Sequence, residues 1–206
     1  MLKSKDKLIE KIRKGEIDVK RDLLGANLEK QDLQGLSFAE AIMMGSSFSG
    51  SNLKNAKFRN ASLMGADFSN SILVKADFRY SAAMGAHFDH AEMREADLRY
   101  ASFGGAFLPE AKCGEADFRA CMLSRANFEK ADLTKSKLED AILTEANLVN
   151  ANLTDATVRN TDFTRADLLG AKLKGIRFDD RSLRTVIDSY NWDRAEWDEK
   201  TKAEAI

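Results

Sequence analysis

From Leu23 to Leu183 every fifth residue is Leu, Phe or Met, with Ala83, Cys113 and Val158 as the exceptions. Two places before it, at the 31 positions from Ala26 to Ile176, stand 21 Ala and 5 Ser, as in the succession Ala41, Ser46, Ser51, Ala56, Ala61, Ala66. The register does not slip. Such a period fits neither common element. Five residues on an α-helix turn through about 500°, which scatters the large side chains around the axis. On a flat strand an odd period sends them alternately to opposite faces. The chain must therefore bend once per pentapeptide, always to the same side, with the large and the small residue pointing inward together. The other three positions point outward and hold nearly all the charge.

A longer period sits on the short one. Phe is frequent in the column Leu28, Phe48, Phe68, Phe88 and in the column Phe38, Phe58, Phe78, and absent from the column Leu33, Leu53, Leu73. Gly25, Gly45, Gly65, Gly85 and Gly105 recur at the same interval. Four pentapeptides thus close one coil, and the coil is square. About eight coils, stacked at the strand spacing of about 4.8 Å, make a rod about 40 Å long. The two Phe-rich columns fall on opposite walls, which keeps the cross-section filled at constant volume.

Stretches such as Ala66-Asp67-Phe68-Ser69-Asn70, Ala96-Asp97-Leu98-Arg99-Tyr100 and Ala126-Asn127-Phe128-Glu129-Lys130 resemble the A(D/N)Lxx consensus of pentapeptide-repeat proteins. The resemblance implies an all-β solenoid, a right-handed quadrilateral β-helix, over residues 21–185. It leaves residues 1–20 as an N-terminal helical cap and 186–206 as a C-terminal helical cap or tail. It also implies a scaffold without catalysis in the repeats. One branch of the family modulates DNA gyrase by imitating duplex DNA with an acidic, dimeric rod, and other members act in bacterial signalling through protein contacts.

The ends of a stacked coil need covers, because unpaired backbone there invites edge-to-edge association. A helix is expected over 4–14, with Ser4 as N-cap, Leu8, Ile9 and Ile12 as its apolar side, a Glu10–Lys14 pair and Gly15 at its end. A second is expected over 194–204, where Asp193 and Glu196 have capping-box spacing and Trp192 and Trp197 have staple spacing. A sharper reading of the tail makes Trp192 and Trp197 a dimer contact.

Charge and composition narrow the function. Lys+Arg 32 against Asp+Glu 33 leaves a net charge of −1. That predicts no general attraction to nucleic acid or to a membrane, and it weighs against an acidic DNA mimic, which stays as the alternative reading. The 206-residue chain carries 2 Cys, no apolar run of membrane-spanning length and no secretory signal, so a cytoplasmic protein is expected. Cys113 and Cys121 fall at inward positions and read as inert thiols. His87, Asp89, His90 and Asp67 share one outward wall, where a flat solvated surface offers no metal cage. No nucleophile–base pair or phosphate loop is present, and no enzyme, cofactor or metal is expected.

Two outward strips stand out. Asp77, Asp97 and Asp117 form one column, Arg79, Arg99 and Arg119 the next, with Tyr80 and Tyr100 beside them. This reads as a ladder of ion pairs, and secondarily as an Arg–Tyr contact strip. The other strip follows the glycine column: Ile42, Met44, Gly45; then Ser62, Met64, Gly65; then Ala82, Met84, Gly85; then Ser102, Gly104, Gly105. None is charged in a chain that is 32% charged, and Met122 and Phe107 extend the strip. This wall is the expected protein-binding surface, for an unidentified partner or for a second copy of the chain.

Overall fold

The computed structural model describes residues 2–14 and 23–199, with side chains from residue 7 onward. One pentapeptide shows how the coil is held. In Ala66–Asn70 the Asp67 amide donates to Ser46 O of the preceding coil at 2.9 Å. The Phe68 and Asn70 amides donate to His87 O and Asp89 O of the following coil at 2.7 and 2.8 Å. Ala66 N donates to Leu63 O at 2.9 Å, closing the turn between walls. The fifth amide, that of Ser69, donates to the Asp67 side chain at 2.8 Å. Every backbone donor of the unit is thereby satisfied, as a closely packed chain requires. The last bond explains the Asp or Asn before the large residue: its oxygen caps the amide two places on, an Asx turn.

Each corner is a β-turn whose third residue has positive φ, as at Asn70 (58°), Tyr80 (59°) and Gly85 (63°). That is the type II signature. The bend consumes so much of each pentapeptide that a wall contributes a single bridged residue. The β-structure is therefore a stack of isolated parallel bridges, from Asn27↔Ser47 to Thr157↔Arg177, all at the 20-residue interval. No longer strand forms among the described residues, a departure from the extended strands that "β-helix" suggests.

Inside, the two Phe columns meet. Phe38, Phe58 and Phe78 stack along the axis at 5.2 and 4.8 Å, and Phe48, Phe68 and Phe88 at 4.9 and 5.0 Å. The columns contact each other edge-to-face, as between Phe58 and Phe68 at 5.3 Å and 86°. Ala83 breaks the large-residue rule at no visible cost, because Phe103 of the next coil lies against Phe88 at 5.2 Å and Phe78 at 6.0 Å.

Helix α1 spans Leu2–Lys14. Ile9 and Ile12 are buried on the first coil, Leu8 packs beside them, and Lys14 bonds Glu10 at 2.7 Å. Ser4 lies inside α1 and so cannot be its N-cap, which needs non-helical backbone. Gly15 lies outside the described residues.

The C-terminal end departs further from expectation. Helix α2 spans Asp180–Ile187, begun by a capping box between Asp179 and Ser182. The regular coil therefore ends at Phe178 instead of 185, and Leu183 is half-buried in a helix. The helix expected over 194–204 does not start at 194: Glu196 donates its amide to Ala171 O at 2.7 Å and bridges Lys172, so its backbone is extended, and the first α-helical residue after it is Glu199. Trp192–Arg194 make one 3-10 turn, and residues 200–206 lie outside the described residues. This segment covers the last coil by supplying acceptors to exposed amides. Asp179 accepts from Asn160 N at 2.9 Å, Thr185 from Phe163 N at 3.1 Å and Asp198 from Gly175 N at 2.8 Å.

Candidate interaction surface

The wall containing residues 41–45, 61–65, 81–85 and 101–105 differs from its neighbours in side chains and in backbone. Ile42, Met44, Met64, Met84 and Met122 are 37–48% exposed, and Phe107 around the corner is 41% exposed. Gly45, Gly65, Gly85 and Gly105 occupy the positive-φ corner, at 62–63°. A Cβ added at any of the four meets nothing within 4 Å. Lys, Glu, Asn, Arg and Tyr fill the same corner elsewhere, so the fold does not demand glycine here. The glycines leave the corner bare to whatever approaches from outside.

The wall has defined edges. On one side stand Tyr80 and Tyr100, stacked at 5.1 Å, with Arg59 over Tyr80 at 5.5 Å. On the other stand His87 and Phe107, stacked at 4.7 Å. Toward the C-terminus the glycine column gives way to Arg125, Glu145 and Arg165, in which Glu145 bonds Arg125 at 2.8 Å and Arg165 at 3.2 Å. Where Gly104 replaces methionine the wall sinks into a shallow open depression of about 540 Å³ between Met84 and the Arg125–Glu145 pair, floored by Gly104, Gly105, Ser124 and Thr144. The uncharged strip was legible in the sequence; the depression and its charged rim were not, since they depend on side chains in adjacent coils.

A further property follows from the residues at the wall centre. On other walls, wherever the capping place holds Asp or Asn, it caps the outward amide two places on: Asp77 for Arg79, Asn127 for Glu129, Asp132 for Thr134, Asn147 for Val149, at 3.0 Å each. Here the capping place is held by Ile42, Ser62, Ala82, Ser102, Met122 and Ile142. Among the described residues the amides of Met44, Met64, Met84, Gly104, Ser124 and Thr144 make no hydrogen bond. The uncharged wall thus carries an unbroken row of open backbone donors.

The Arg–Asp strip is a ladder. Arg79 grips Asp77 through Nε and Nη2 at 2.9 and 2.6 Å, and Arg99 and Arg119 repeat the pairing with Asp97 and Asp117. Arg79 also reaches Asp97 of the next coil at 3.4 Å. Burial works to raise the Asp77 and Asp117 pKa values, but the hydrogen bonds and charge of Arg79 and Arg119 outweigh it and hold both below the ordinary carboxylate range. Cys113 and Cys121 are buried, which pushes both thiols far up. His87 faces Asp89 at 3.5 Å and His90 faces Glu110 at 3.4 Å; no metal-binding cluster occurs among the described residues. Trp192 and Trp197 meet edge-to-face at 6.2 Å, Trp197 Nε1 donates to Trp192 O at 3.0 Å, and Trp197 touches Phe178 at 5.8 Å. Both indoles lie on the end of their own rod. No helix among the described residues is long and apolar enough to cross a membrane.

Coil, corner turns and Asx caps together define a repeat solenoid. The chain belongs to the pentapeptide-repeat family: residues 22–60, 61–81 and 84–112 match the model for pentapeptide repeats (8 copies), and 111–186 that for a pentapeptide repeat region. Among solved structures it is similar to HetL, a pentapeptide repeat protein involved in heterocyst differentiation regulation from the cyanobacterium Nostoc sp. strain PCC 7120. The two are 21% identical over 92% of each chain, with a TM-score of 0.51. QnrB1, a plasmid-mediated fluoroquinolone resistance protein, is 20% identical over 89% of this chain and 94% of its own, with a TM-score of 0.45. No curated protein matches the chain in sequence.

Proposed function

We propose that this protein is a non-enzymatic scaffold that binds another protein through its uncharged Met/Gly wall. The observation that carries the reading is the run from Ile42 to Gly105. Over four coils its outward positions hold no charge, and Met44, Met64 and Met84 stand exposed on it. Methionine adapts to varied partner shapes, and an exposed apolar strip of this length marks a contact surface. The strip alone covers roughly 230 Å², against about 800 Å² per partner in a standard interface. It therefore acts as the apolar centre of a contact whose rim draws on Tyr80, Tyr100, Phe107 and Met122.

Nucleic acid is a poor fit, and so is the gyrase-directed alternative. Arg79, Arg99 and Arg119 already spend their guanidinium groups on Asp77, Asp97 and Asp117, so the acidic column of their wall is neutralised. Partner capture from cells is the test. A Met64→Lys/Met84→Lys variant should fold as the parent does and lose the partner; retention of every partner sinks the reading. Inhibition of purified gyrase, or its protection from a fluoroquinolone, would favour the alternative.

A further inference from the structure

We infer that the occupant of the Met/Gly wall is an amphipathic α-helix laid along the rod, whose side-chain oxygens cap the open amides of Met44, Met64, Met84, Gly104, Ser124 and Thr144. The inference rests on the reading of this wall as the binding surface and names what binds there. The direction of these amides comes from the rest of the molecule. Wherever Asp or Asn precedes the large residue, the corresponding amide meets a side chain that stands outside the rod, as Ser69 meets Asp67. The six open donors therefore face outward too. A partner that covered them with hydrocarbon would strip their water and return nothing, which is costly. This counts against a second copy of the same wall, where only Ser62 and Ser102 among the six capping places can accept and Ile42, Ala82, Met122 and Ile142 cannot. The occupant must bring acceptors.

Spacing selects the element that brings them. The donors recur once per coil, at about 4.8 Å. Side chains on one face of a strand recur at about 6.8 Å and lose register within one step. Turns of an α-helix recur at 5.4 Å and drift by about 0.6 Å per coil, about 3 Å over the five steps of the row, which long flexible side chains such as Gln take up. The row from Met44 to Thr144 spans about 24 Å, the length of a helix of about 16 residues. Beside the donor row the bare glycine corner gives such a cylinder room, and Met44, Met64 and Met84 supply contact for its apolar ridge. The depression over Gly104 and Ser124 takes one larger anchor, below a rim where Arg125 pairs with Glu145 at 2.8 Å. Shorter runs of open amides, such as Val74, Arg94 and Gly114, Ala39 and Arg59, and Glu139 and Arg159, lie on walls that carry charged side chains and offer no comparable apolar seat.

The test uses the whole chain and a designed helical peptide of about 16 residues with a leucine ridge and an adjacent glutamine ridge. A second peptide carries lysine, which donates but does not accept, in place of glutamine. The decisive variant is Ser62→Asn/Ala82→Asn, which gives the Met64 and Met84 amides the internal cap found on other walls. By fluorescence anisotropy the glutamine peptide should bind saturably and the lysine peptide at least about ten-fold more weakly, the worth of a bond or two. The Asn variant should melt no lower than the parent and lose about ten-fold in affinity for the glutamine peptide. Equal binding of the two peptides, no saturable binding of either, or undiminished binding by a folded Asn variant overturns the inference. So does a dimer by light scattering that Met64→Lys/Met84→Lys separates, since a second copy then fills the wall. Failure of the wider reading looks different: the Lys variant would keep its cellular partner.

Discussion

The Asp77 carboxylate accepts the backbone amide of Arg79 at 3.0 Å and binds its guanidinium at 2.9 and 2.6 Å, so one side chain caps a turn and holds a charge. One pentapeptide later Ala82 stands in the place of Asp77, and the Met84 amide goes uncapped. The contrast between these neighbouring walls, one closed from Asp77 to Arg119 and one open from Met44 to Thr144, underlies the account of function.

The closed wall gives a pH prediction. Asp77 and Asp117 have pKa values held below the ordinary range. A carboxylate shifted down in the folded state contributes stability that is whole above its unfolded pKa, about 3.9, and is lost as pH falls through the folded value. Thermal melts should therefore fall as pH drops below about 4, and an Asp77→Asn/Asp117→Asn variant should lose less over that window. Equal slopes for parent and variant would show that these pairs carry no linked stability.

The core gives a second. Phe103 fills the space that Ala83 leaves beside Phe88 and Phe78. Phe103→Ala should cost about 3–5 kcal/mol by denaturant unfolding, through a cavity the square coil cannot close. Ser69→Ala, outside the rod, should stay within about 0.5 kcal/mol.

Much of this was written in the sequence. The five-residue period placed the inward columns because every turn is alike, and the 20-residue period placed the Met/Gly wall because coils stack in register. The Asx cap was present as a letter pattern but not as a bond, since periodicity says nothing of which amide an outward Asp67 reaches. The C-terminus was misread for a definite reason. Phe178 and Leu183 continue the five-residue register, whereas the local Asp179–Ser182 capping box starts α2 between them. Asp193 and Glu196 carry capping-box spacing, but Glu196 is claimed by the sheet through Ala171 and Lys172.

Amide exchange separates the open donors from the capped ones. The Met64, Met84 and Gly104 amides should exchange much faster by NMR than those of Arg79, Glu129 and Thr134, which are bonded to side-chain oxygens. Comparable protection would mean that the wall finds acceptors of its own.

The thiols offer a simple check on the interior. Burial disfavours the Cys113 and Cys121 thiolates, so neither should react with a maleimide in the native protein and both should react after unfolding. Rapid native labelling would contradict the packed core.

The measurement that bears most directly on the working surface is site-specific photo-crosslinking in cells that make the protein. A photoreactive residue is placed at Met64 or Met84, and as controls at Asn152 on the wall opposite and at Lys57 on the neighbouring Arg-bearing wall. The account predicts one discrete crosslinked species from positions 64 and 84, and none above background from 152 or 57. The same species from all four positions, or a species only from the controls, would contradict it.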